Sequence, residues 1–142
     1  MKEQLKQILE LERLIHGFRR LDVTKHKRTE LSDAETTLLF CVYFGDDNGT
    51  KPSSIARRLK VTLPAITHKM NILVEKGYLK RRASTSDHRV TYVLLDEKGK
   101  QFIEMHKDDY YQRLFKLTEH LGERDTKVLI RVLTKINKMK KL

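Results

Sequence analysis

The side chains best placed for chemistry in this sequence are cations and amides rather than nucleophiles or metal ligands. Between Lys51 and Leu95 stand ten basic residues: Lys51, Arg57, Arg58, Lys60, Lys69, Lys76, Lys80, Arg81, Arg82 and Arg89. Only Glu75 and Asp87 oppose them, so this stretch carries +8 of the net +11 and leaves +3 for the other 97 residues. Charge concentrated in this way is the electrostatic footprint of a polyanion binder; the alternative is a basic surface kept for solubility. Inside the block, Leu63-Pro64-Ala65 is followed by Thr67, His68, Lys69 and Asn71. A threonine can bond a base or a phosphate, His68 and Asn71 can read base edges, and Ala65 can touch a thymine methyl. Lys69, Lys76, Arg57 and Arg58 suit phosphates. For His68, an exposed position with no specific bond is an equal alternative.

A second constellation is Ser86-Asp87-His88-Arg89. An arginine on a small polar loop can enter a narrow minor groove, where negative potential is enhanced. Asp87 repels phosphate, so its expected work is to orient Arg89 through a charge-assisted hydrogen bond. The alternative is a surface ion pair worth at most about 1 kcal/mol. Other chemistries find little support. Cys41, the single cysteine, sits among Leu39, Phe40, Val42 and Phe44, which reads as a buried inert thiol rather than a redox sensor. His16, His26, His68, His88, His106 and His120 show no i, i+4 pair, so no metal and no cofactor are expected. No Ser/His/Asp arrangement or glycine-rich phosphate loop stands out, which points away from an enzyme.

The elements that must position these residues follow from periodicity. Leu5, Ile8, Leu9, Ile15 and Phe18 give a helix over about 2–27, with Leu11, Leu14 and Leu21 widening its apolar face. Ser32 and Glu35 have capping-box spacing behind Leu31, opening a helix apolar on most faces through Phe44. After the 45–49 turn, Pro52 opens a short helix with Ile55, Ala56 and Leu59 inward, although Lys51 is a poor cap. Thr62 caps the next helix, Pro64 lies in its first turn, Ile66, Met70, Leu73 and Val74 face the core, and Gly77 closes it. The period then becomes that of strands over 78–82 and 89–95, a hairpin with 83–88 at its tip. Helices over 97–120 and 123–140, broken at Gly122, complete the chain. Short helix, turn, helix and basic hairpin is the order of a helix-turn-helix with a wing, whose second helix lies in the major groove.

A chain of 142 residues can bury a core without disulfides. Its composition, 39% apolar and 35% charged, leaves a modest apolar supply that self-association would complete. The terminal stripes are larger than a lone winged helix can cover, and so call for a homodimer. The charged N-terminal stretch lacks the apolar core of a secretory signal, and the longest uncharged run, Thr36 to Gly45, is too short to span a bilayer. These features predict a cytoplasmic protein with no membrane partner.

The runs LSDAETTLLFCVYF, SSIARRLKVTLPAITHKMNILVEKGYLKRR and STSDHRVTYVLLDEKGKQF resemble the MarR family of bacterial transcription factors. The features that carry the resemblance are Ala56, Leu59, Thr67, the Leu73–Leu79 junction, Asp87-His88-Arg89 and Leu95-Asp96-Glu97-Lys98-Gly99; the family often has Thr where Asp96 stands. The resemblance implies one mainly α domain over 1–142 with a small β-hairpin wing. Within it, 31–96 would form the winged helix-turn-helix, and 1–30 and 97–142 the dimerisation helices. It further implies a homodimer on an inverted-repeat operator of double-stranded DNA, usually released by a small ligand. On that pattern the interface is Pro64, Ala65, Thr67, His68, Lys69, Asn71, Arg57, Arg58, Asp87 and Arg89. By helix position, His16, Arg19, Phe40, Tyr43 and Phe44 could approach an effector cleft taking a small aromatic or phenolic ligand, although aromatic residues there are more often core. Two rival functions are an architectural DNA binder of weak specificity and a protein-docking winged helix.

Overall fold

The computed structural model describes residues 1–87 and 89–140. The chain forms two compact units, one made of 1–27 with the segment from 109 onward, the other of Arg28–Asp108. In the first unit, α1 (Lys2–Leu21) buries none of its residues. It ends six residues earlier than its periodicity suggests. Asp22 turns left-handed (φ 49°) and its N–H bonds the Arg19 carbonyl, a conformation aspartate tolerates, and β-branched Val23 and Thr24 then disfavour resumption. The chain beyond is pinned to the start of the C-terminal segment. His26 stacks on the ring of Tyr110 with centroids 4.4 Å apart, and Lys27 pairs with Asp109 at 3.1 Å.

The second unit is built from α2 (Asp33–Tyr43), α3 (Pro52–Leu59), α4 (Leu63–Glu75), the strands β1 (Leu79–Ala83) and β2 (Thr91–Leu95), and α5 (Glu97–His106). The capping box at Ser32 and Glu35 forms in both directions at 3.1 Å, and Lys51 caps α3 with no side-chain bond. Leu38, Leu39, Ile55, Ile66, Met70, Leu73, Leu79, Val93, Phe102 and Ile103 are buried, so α2 and the inward faces of α3, α4 and α5 share one core with the hairpin. β1 and β2 pair antiparallel from Leu79↔Leu95 to Ala83↔Thr91. Thr50 adds a third line, exchanging backbone bonds with Val93 at 2.9 and 2.8 Å, so the α2–α3 connection is stitched to the wing.

The C-terminal half departs from the expected single helix over 97–120. α5 stops at His106, and α6 (Gln112–Asn137) follows after an interruption at 107–111. Asp108 and Asp109 are weak helix formers, and Tyr110 is drawn into full burial against His26, a long-range contact that local periodicity does not encode. The break expected at Gly122 is present inside α6, where its φ is +77°. α5, grouped by sequence with the terminal helices, instead packs against α2, β1 and β2.

Candidate nucleic-acid interface

The outward face of α4 is set by what the core takes. With Ile66, Met70 and Leu73 buried, Pro64, Ala65, Thr67, His68 and Asn71 remain exposed away from the core, and Leu63 is exposed at the helix start. Thr62 accepts from the Ala65 N–H at 3.3 Å, and this N-cap, with Pro64 behind it, fixes where the exposed run starts. On α3, Ile55 and Ala56 face inward while Arg57 and Arg58 are exposed. Lys60 closes α3 in the left-handed region (φ 55°), and Val61 N–H reaches the Ala56 carbonyl at 3.0 Å, which makes the turn into α4 tight.

The lysines are less free than the sequence suggests. Lys69 is half-buried, and Lys76 points back to α2, where its Nζ lies 3.8 Å from Glu35 Oε2. Burial alone would raise the Glu35 carboxyl. The Ser32 N–H and hydroxyl, with Lys76 and Lys69 beyond them, outweigh that and hold it below the usual carboxylate range. Sequence reasoning saw Glu35 as a capping residue and missed that it stands as a fixed anion behind two candidate phosphate clamps.

The wing tip is ordered by a short chain of bonds. The Ser84 N–H donates to the Val90 carbonyl at 2.9 Å, extending the ladder beyond Ala83↔Thr91. Asp87 Oδ1 accepts from both the backbone N–H of Arg89 at 3.0 Å and its Nε at 3.3 Å, the orientation expected of this pair. The Arg89 side chain is 91% exposed, so the guanidinium is held yet fully presented. His88 of the same run lies outside the described residues. One pair below the tip-side end of the ladder, Arg82 donates to the Asn48 carbonyl and lies over the Tyr92 ring, 4.9 Å from its centroid, which spends this cation on structure.

The remaining candidates fall elsewhere. His16 and Arg19 are exposed on α1 in the first unit, whereas Phe40, Tyr43 and Phe44 belong to the second. Phe40 is core, and its ring stacks at 6.4 Å on the exposed Phe44. Cys41 is half-buried rather than sealed, in a cleft shared with Phe44, Ser54 and Arg58; burial pushes its thiol up and Arg58 pulls partly the other way. No helix among the described residues is long and apolar enough to cross a membrane.

Two helices joined by a tight turn, the second presenting a polar face, and a hairpin with an arginine at its tip define a winged helix-turn-helix protein. Residues 31–91 match the model of the MarR family. Over 108 residues the chain is 25% identical to the uncharacterized HTH-type transcriptional regulator YdgJ of Bacillus subtilis. The match covers 76% of this chain and 65% of YdgJ, so the chain spans just under two thirds of that relative's length. The fold is similar to that of a mutant MarR from Escherichia coli complexed with operator DNA, at 25% identity and TM-score 0.63 over 92% of this chain and 95% of that one. It is also similar to the MepR–DNA complex of Staphylococcus aureus, at 21% identity and TM-score 0.66 over 89% and 93%.

Proposed function

We propose that this chain is a sequence-specific regulator of transcription, a repressor that acts as a cytoplasmic homodimer on an inverted-repeat operator in double-stranded DNA. The observation that carries the reading is the exposed face of α4, where Pro64, Ala65, Thr67, His68 and Asn71 stand opposite the buried Ile66, Met70 and Leu73, within a +8 segment whose last cation is the exposed Arg89. On this reading α4 enters the major groove and Arg89 the adjacent minor groove, while Arg57, Arg58 and Lys69 take phosphates. The reading assigns the chain no catalytic role. Dimerisation is supported by the terminal helices, since α1 and α6 expose Leu5, Leu9, Phe18, Ile130, Leu133 and Ile136 and bury none of their residues. Those helices, rather than α5, are the proposed dimerisation elements. Release by a small aromatic or phenolic effector is part of the proposal, with the exposed rings of Tyr43 and Phe44, and His16 and Arg19 on α1, as the side chains to test.

The test is selection by the purified protein from a random duplex library at about 0.15 M salt, where surface electrostatics are partly screened. Enrichment of a palindrome with half-sites about one helical turn, roughly 34 Å, apart is the expected result. Uniform salt-sensitive retention with no motif would replace it with an architectural binder.

A further inference from the structure

We infer that Ser84 is a positioning residue of the DNA-binding wing, acting through Asp87 on Arg89; the inference rests on the proposed function and deepens it. Among the described residues of the tip, 84–90, Ser84 is the one buried side chain, at 7% exposure, although it is a small polar residue on the most exposed loop of the hairpin. Its hydroxyl oxygen accepts from the backbone N–H groups of both Ser86 and Asp87 at 3.3 Å and lies 3.0 Å from the Ser86 hydroxyl. Its own N–H holds the Val90 carbonyl, and the Val90 N–H in turn reaches the Asp87 carbonyl at 3.0 Å. Asp87 is therefore gripped through its amide and its carbonyl before its carboxylate grips Arg89 twice.

The physical consequence concerns entropy. An arginine this exposed samples many rotamers, and fixing it on a DNA surface costs affinity unless it is already oriented. Asp87 can orient it only if the Asp87 backbone is itself fixed. In a loop of Ser84-Thr85-Ser86-Asp87 that holds no apolar residue, the Ser84 hydroxyl is the side-chain group that fixes it, holding the Asp87 amide while the Val90 N–H holds its carbonyl. Removing the hydroxyl leaves the Asp87 carboxylate and the Arg89 guanidinium in place chemically but frees the segment that aims them. The residue is thus silent in composition and charge and acts only through geometry.

A double-mutant cycle of Ser84→Ala with Arg89→Ala tests this. It is read by fluorescence anisotropy on a labelled 30-base-pair duplex from the enriched pool, or from the random pool where no motif emerges, over a range of salt. Arg89→Ala is expected to weaken binding and to reduce the slope of log affinity against log salt by about one. Ser84→Ala is expected to weaken binding about 3- to 10-fold in the wild-type background, the scale of one hydrogen bond, with a shallower salt slope. In the Arg89→Ala background it is expected to add nothing. Ser84→Thr, which keeps the hydroxyl, is expected to restore the slope. A loss from Ser84→Ala that is equal in both backgrounds would make it a merely structural residue and overturn the inference, as would no loss where Arg89→Ala binds poorly. If Arg89→Ala binds as well as wild type, the minor-groove reading of the wing itself fails, and the inference falls with it.

Discussion

Glu35 offers a prediction in which two properties of the protein move in opposite directions. In Glu35→Gln the side-chain oxygen that accepts from the Ser32 N–H survives, so the capping box persists in neutral form, but the carboxylate facing Lys76 and Lys69 is gone. A charge-assisted bond is roughly twice as strong as a neutral one, so the weakened cap costs about 0.5 kcal/mol. The Lys76 ion pair, with its lysine side chain 50% exposed, adds at most a few tenths after solvent screening. The stability loss is therefore about 0.5–1 kcal/mol by urea denaturation. Glu35→Ala, which also removes the acceptor, loses about 1 kcal/mol more. DNA affinity moves the other way. An anion that holds Lys76 off the phosphates is removed, so binding at about 0.15 M salt tightens about 2- to 5-fold and the salt slope steepens by up to about one. The pH dependence supplies an internal check. The Glu35 carboxyl is depressed from 4.5 in the folded chain, so its contribution is complete above that value and is lost as pH falls through the depressed one. The stability gap between wild type and Glu35→Gln is then flat from about pH 7 to 5 and closes below about 4.5. A Glu35→Gln protein that is less stable but binds DNA with unchanged affinity and salt slope would refute the competition between Glu35 and phosphate.

Three further outcomes follow from the geometry. A Cβ on Gly99 would sit 2.1 Å from the Tyr78 carbonyl oxygen, which is already held by the Asp96 N–H, so Gly99→Ala is expected to cost about 2–3 kcal/mol in chemical denaturation; an unchanged midpoint would contradict the close packing of α5 on β1. Because burial raises the Cys41 thiol, its labelling by a disulfide reagent at pH 8 should run roughly tenfold slower than in urea, and peroxide should leave DNA affinity unaltered. Leu133→Glu on α6 should drive the protein to monomer in analytical ultracentrifugation and lower operator affinity on the order of 100-fold through lost bivalency; a dimer that persists would place the dimer contact elsewhere.

The parts of the fold legible in the sequence are those governed by local chemistry. Ser32 with Glu35, Thr62 before Pro64 and Gly77 after α4 mark helix ends by bonds made within a few residues, and each marks an end in the structure. The failures occur where a distant partner decides. The 107–111 interruption depends on Tyr110 finding His26, and the third line of the wing depends on Thr50 finding Val93. Neither partner leaves a periodic signal. The first helix is shorter than expected for a local reason: its apolar positions end at Leu21, and the left-handed Asp22 with β-branched Val23 and Thr24 stops the helix there rather than at 27.

The same division explains the candidate interface. The exposed face of α4 could be deduced because burial of Ile66 and Met70 fixes helical phase, and phase assigns every neighbour a side. Which cations are free to meet phosphate could not be deduced, because that depends on competitors brought in by tertiary packing. Arg82 looks like one of three equivalent wing cations, yet it is spent on the Asn48 carbonyl and the Tyr92 ring, and Lys76 is drawn toward Glu35. Arg57, Arg58 and Arg89 keep their exposure. A count of basic residues therefore overstates the number of ions displaced on binding, and the salt slope should report the smaller, structural number. A slope that matched all ten basic residues of 51–95 would mean that the contacts made by Arg82 and Lys76 give way when DNA arrives.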